Sequence, residues 1–114
     1  MKAFVVLTTA PDARSAQKLA RALVQKKLAA CVSVLPGVKS VYRWKKKVES
    51  SRESLLLIKT PKDKWKAVQS FVLKHHPYEL PELIALPVAQ GSKKYLDWIH
   101  ANTTVQKIML QDGR

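Results

Sequence analysis

The chain has 114 residues, 46% of them hydrophobic and only three of them glycine, which suits one domain with a real core and excludes a disordered chain. Its formal charge is +13, from 21 Lys and Arg against 8 Asp and Glu. Such an excess points equally to nucleic acid, an acidic membrane surface, another polyanion, or a natural or engineered solubilising surface. The longest runs without charge, Leu28–Val38 and Leu83–Ser92, are too short to span a bilayer. The basic-then-apolar start gives way to Thr8-Thr9-Ala10-Pro11-Asp12 too soon for a signal peptide. Cys31 is the single cysteine, which excludes an internal disulfide and sets the expected location as the cytoplasm.

Lys2–Thr9 is apolar and β-branched, the pattern of a buried first strand. Asp12 after Pro11 is a natural N-cap for a helix running to about Leu28, with Ala16, Leu19, Ala20, Leu23 and Val24 at helical spacing. Ala29–Leu35 is a second strand; Pro36-Gly37 predicts a bulge, and the strand resumes over Val38–Val48. Glu49-Ser50-Ser51-Arg52 is the expected turn of a hairpin whose return strand is Glu53–Thr60. Pro61 opens a second helix with Trp65, Val68, Phe71, Val72 and His75 on its inner side. A fourth strand is expected over Leu83–Ala89, a third helix over Ser92–Asn102 with His100 on its solvated side, and a short terminal strand over Val105–Leu110.

The order β-α-β-β-α-β predicts an α+β, ferredoxin-like sandwich with an appended helix and short strand, in one domain over 1–114. Its antiparallel sheet carries both main helices on one face, so the other face needs cover. Tyr42 and Trp44 on the long hairpin are too apolar for solvent, and such residues are favoured at interfaces; subunit association follows as an expectation, the alternative being a self-contained monomer whose C-terminal helix covers the patch.

The densest stretch of chemistry is His75-His76-Pro77-Tyr78-Glu79-Leu80-Pro81-Glu82. Two prolines stiffen it, and imidazole beside carboxylate serves metal ligation and acid–base work alike. The plainer alternative is a helix C-terminus, where histidine suits the negative end of the dipole, leading into a strand.

Leu28-Ala29-Ala30-Cys31, Pro36-Gly37, Ser40-Val41-Tyr42, Trp44, Lys59-Thr60, His76-Pro77-Tyr78-Glu79 with Pro81-Glu82, Pro87, Gly91 and Tyr95-Leu96-Asp97-Trp98 together resemble the divalent-cation tolerance (CutA) proteins, over about Phe4 to Thr103. The remaining 104–114 is a C-terminal extension. The resemblance implies a homotrimer of ferredoxin-like subunits similar in assembly to PII-type signalling proteins, with Tyr42, Trp44 and Trp98 as interface candidates. It implies a role in tolerance of divalent metals, copper especially, through binding and with no established reaction. The copper proposal for such proteins joins a first-strand thiol to a histidine and a glutamate; here these positions are Thr8, His75 and Glu82, with His76 and Glu79 alongside. A threonine hydroxyl is a poor copper ligand, so the resemblance implies at most weak Cu(II) or Zn(II) binding and no obligatory cofactor. The hairpin also departs from the family's W-x-G-K: Trp44-Lys45-Lys46-Lys47 puts Lys46 where the glycine stands. Three copies would gather 3 × 13 = +39 formal charges.

Three functions follow as expectations. The first is a trimeric metal-tolerance protein binding through His75, His76, Glu79 and Glu82. The second is a PII-like trimer binding small molecules or anions, with Lys59 or Lys47 meeting the anion, although no phosphate-cradling glycine loop is present. The third is non-specific polyanion or nucleic-acid binding by the basic surface; no RNA-binding aromatic strand motif is present, so specific nucleic acid is not expected. No hydrolase motif accompanies the Ser, His and Asp residues, and neither enzyme activity nor membrane association is expected.

Overall fold

A computed structural model describes residues 2–104. Four strands and three helices alternate: β1 (Ala3–Ala10), α1 (Ala13–Gln25), β2 (Cys31–Trp44), β3 (Lys47–Pro61), α2 (Trp65–His75), β4 (Ile84–Pro87) and α3 (Lys93–Ala101). The strands form one antiparallel sheet in the order β2-β3-β1-β4, an α+β arrangement. The expected strand over Val105–Leu110 lies outside the described residues.

Local chemistry sets the helix ends. Asp12 caps α1 as expected, its carboxylate accepting from the Ser15 N–H at 2.7 Å. That charge-assisted bond is the main reason the Asp12 carboxyl is held below its ordinary value. The helix stops at Gln25 rather than near Leu28, because Lys27 turns left-handed at φ 59°. The Leu28 and Lys27 N–H groups then donate back to the Leu23 and Val24 carbonyls, closing the helix with a pair of reversed bonds. Ser92 caps α3 through the Tyr95 N–H. Pro61 ends β3 instead of opening α2, and a 3-10 turn over Lys62–Lys64 intervenes.

The hairpin turn lies at Lys45-Lys46, not at Glu49–Arg52. Both lysines have positive φ, 49° and 69°, the combination that matches the twist of the flanking strands in a two-residue loop. Glu49, Ser50, Ser51 and Arg52 instead pair with Tyr42, Val41, Ser40 and Lys39 in the ladder. Their polarity marked solvent on an arm beyond the helices, not a change of direction. The predicted bulge appears where β2 shifts register between Leu35 and Val38, with Gly37 at φ 72°.

Pleating sorts the strands onto two faces. Val6, Leu56 and Ile58 face α1 and α2 and are fully buried with Leu23, Val68 and Val72. The opposite face presents Val5 and Leu7 of β1, Leu55, Leu57 and Lys59 of β3, and Ile84 and Leu86 of β4. Cys31, Ser33 and Leu35 complete it from β2. Among the described residues, cover comes at one end of this face, where Ile99 and Leu96 of α3 pack on Ala3 and Ala30.

Candidate functional site

The open sheet face continues past the bulge onto the arm. Ser40, Tyr42 and Trp44 of β2 stand opposite Ser51, Glu49 and Lys47 of β3, with Glu53 opposite Val38. The segment 77–82 comes off the end of α2 and crosses beside this arm, because His76 leaves the helix with extended backbone (ψ 138°) and Pro77 follows. Between segment and arm lies a cleft of about 1000 Å³. Thr9, Tyr42, Trp44 and Glu53 line one wall; Pro77, Tyr78, Glu79, Leu80, Pro81 and Glu82 line the other.

His76 pins the segment in place. Its Nδ1 accepts the Tyr78 N–H at 3.1 Å, so its Nε2 carries the proton and donates to the Thr9 carbonyl at 2.7 Å. Tyr78 then reaches Glu53, its hydroxyl donating to Oε2 at 2.7 Å. Glu53 is only 7% exposed. Burial alone would raise its pKa, but hydrogen bonds from Ser40, Tyr78 and Thr9, with His76 nearby, outweigh that and hold the carboxyl below its ordinary value. Burial and the bond to Glu53 drive the Tyr78 phenol far above its ordinary value, so it stays a neutral donor. The result is a buried carboxylate held by neutral donors at the base of the cleft.

The four metal-candidate residues are not brought to one point. His75 ends α2 with its ring against Phe71, centroids 4.3 Å apart. His76 has both ring nitrogens engaged and no lone pair left to give. Glu79 and Glu82 both line the cleft. Among the described residues, no three His, Cys, Asp or Glu side chains are placed to hold one ion. Thr8, at the position of the family's thiol, is fully buried on the helix-covered face, and its hydroxyl has no partner among the described residues. A resident metal centre does not fit this donor set.

Of the aromatic candidates, Tyr42 and Trp44 line the cleft, whereas Trp98 stacks on Tyr95 in α3 with centroids 5.6 Å apart. All three are more than a third exposed. The anion candidates lie far apart: Lys47 opens β3 at the arm's tip, and Lys59 sits twelve positions along the same strand. The Lys59 ammonium donates to Ser33 Oγ at 2.5 Å and lies 3.8 Å from Cys31 Sγ. His100, expected in solvent, is half-buried, and its Nε2 has no partner among the described residues.

Sequence reasoning missed Glu53, the centre of the network, because the misplaced turn put it at a strand's first position. The available signal was its phase. Glu53 stands in the same alternation as Leu55, Leu57 and Lys59, and so shares their face.

These features describe a small α+β domain with one sheet face left open beside an acidic, aromatic cleft. The family model for the CutA1 divalent ion tolerance protein matches residues 4–102. A divalent-cation tolerance protein CutA of Yersinia pestis (strain Pestoides F) is 49% identical over 100 residues, 88% of this chain and 84% of that protein. The structure of a divalent cation tolerance protein (Cut A1) from Thermus thermophilus superposes with a TM-score of 0.86 at 44% identity, covering 91% of this chain and 100% of that one. That of a periplasmic divalent cation tolerance protein CutA from Archaeoglobus fulgidus also gives 0.86, at 36% identity and with the same coverage. The chain belongs to the CutA1 divalent ion tolerance family. Among the described residues, no helix is long and apolar enough to cross a membrane.

Proposed function

We propose that this protein serves divalent-cation tolerance as a homotrimer of ferredoxin-like subunits, PII-like in assembly, and that it acts by binding rather than catalysis. The open sheet face carries the reading. Leu35, Ile84 and Leu86 are each between 46% and 49% exposed on a face whose centre is aliphatic. Burying such a face releases roughly 25 cal/mol per Å² of apolar surface, and only another large apolar surface can cover it. Tyr42, Trp44 and Trp98 add the exposed aromatics that interfaces favour.

On this reading a divalent cation is cargo rather than a fixed component. Glu79 and Glu82 supply hard oxygen donors in the cleft, which suits weak binding of Cu(II) or Zn(II) and gives no preference for soft Cu(I). The single thiol, Cys31, supports a reducing compartment, and the cytoplasm is the location proposed.

Light scattering tests the assembly: a mass near three times 12.9 kDa is expected, and a folded particle of one chain's mass would refute it. Calorimetric titration with Cu(II) and Zn(II) tests the cargo. Glu79→Gln with Glu82→Gln is expected to abolish the binding that His75→Ala leaves largely intact.

A further inference from the structure

The open face is polarised along its length. At one end Lys59 is half-buried beside Ser33 and Cys31. At the other lies the cleft, with Glu53, Glu79 and Glu82. Lys59 and Glu53 are six positions apart on β3, roughly 20 Å along the strand. The stretch between them is aliphatic, with Leu55 and Leu57 flanked by Leu7 and Leu35.

Among the described residues, neither charged end forms an ion pair. Lys59 forms no ion pair with a carboxylate among the described residues, and its ammonium has three donors to place. The cleft holds three of the chain's eight acidic residues, yet no lysine or arginine among the described residues lines it. Covering the aliphatic centre with a second copy takes both ends out of water, where an unpaired charge is strongly penalised. Each end then needs what only the other end of another copy supplies.

We infer that Lys59 of one copy enters the acidic cleft of the next and pairs with Glu79 and Glu82, so that divalent cargo reaches these carboxylates only by displacing the ammonium; this rests on the trimeric reading above. Glu53 is not the acceptor, since it lies 7% exposed at the base of the cleft and already accepts from the Tyr78 hydroxyl. Each copy gives one ammonium to a neighbour and receives one from the other. That is a head-to-tail contact, the kind that closes into a ring when the rotation between copies allows. The cleft is incomplete in a single chain and gains its cation from the partner copy.

A double-mutant cycle on the assembled protein tests the pairing. The trimer–monomer equilibrium is followed by sedimentation, with circular dichroism showing that each chain is folded. Lys59→Gln, and separately Glu79→Gln with Glu82→Gln, are each expected to weaken assembly at least about tenfold. Their combination is expected to add little to either, and Lys59→Glu with Glu79→Lys and Glu82→Lys to recover assembly in part. Lys59→Met, which keeps the apolar stem, serves where Lys59→Gln misfolds. A wild-type chain that is folded and monomeric at all concentrations overturns the trimeric reading itself. A wild-type trimer whose assembly ignores Lys59, or in which the two losses simply multiply, overturns the pairing alone. So does inorganic phosphate that stabilises the wild-type trimer but not the Lys59→Gln protein, since Lys59 would then serve a free anion.

Discussion

On the helix-covered side of the sheet, Val6, Leu56, Ile58, Val68 and Val72 are closed off from water. On the other side Leu35, Ile84 and Leu86, from the outer strands β2 and β4, stay nearly half exposed, although they are residues of the same kind. The covered face is complete within one chain. The open face has its apolar centre, its charged ends and its aromatic arm, but among the described residues no helix over most of it. Two-sided apolar strands, such as the unbroken Leu55-Leu56-Leu57-Ile58, belong to sheets buried on both sides. What separates the faces is therefore where the missing cover comes from, not what they are made of.

Deleting one side chain on each face breaks this comparison most sharply. Leu56→Ala is expected to destabilise the chain by about 3 kcal/mol in urea unfolding, independent of protein concentration. Leu57→Ala, one residue along on the open face, should produce a loss that grows as concentration rises into the range where copies associate. Equal, concentration-independent losses would mean that the open face gains no cover.

The buried carboxylate gives the next largest effect. Glu53→Gln is expected to cost about 2 kcal/mol near neutral pH, the range for a charge-assisted bond that leaves buried partners behind. Because the folded state holds this carboxyl below the ordinary 4.5, its contribution is full above that value and is lost as pH falls through the folded one. The difference between the two proteins should close in acid, as followed by urea midpoints from pH 7 down to pH 3.

Thr8→Val tests the covered face in the opposite direction. Removing a buried hydroxyl that lacks a partner among the described residues, at nearly constant volume, should stabilise the protein by about 1 kcal/mol in thermal unfolding. The smallest effects belong to the left-handed lysines. Lys27→Gly and Lys46→Gly should each stabilise by about 0.5–1 kcal/mol, because glycine takes positive φ without strain. Lys46→Gly should act through the arm and Lys27→Gly through the covered core.

Much of this architecture was legible in the chain. Asp12 announced α1, Pro36-Gly37 announced the bulge, and the strand alternation implied a face without helices. The end of α1 and the hairpin tip were not, for one shared reason: lysines occupy positions where glycine is the usual signal, so nothing in the residue type reveals the positive φ. The cleft was half legible. The segment 75–82 drew attention through its imidazoles, and the structure gives His76 the work of a tether while Glu53 and Tyr78, from distant positions, form the network. Such a site depends on which strand crosses which segment, and short-range spacing does not carry that information.

The bulge in β2 has a separate consequence. β2 is the sheet's outer strand, fourteen residues long, and so bares a row of unpaired backbone donors and acceptors. An edge of that length is a template for runaway fibre growth. Pro36 removes one donor from the row, the register slip at Leu35–Val38 throws the rest out of line, and β4 at the opposite rim is only four residues long. Straightening that kink, for instance by Pro36→Val with deletion of Gly37, is expected to restore a continuous edge and make the protein turn cloudy on standing where the parent chain stays clear.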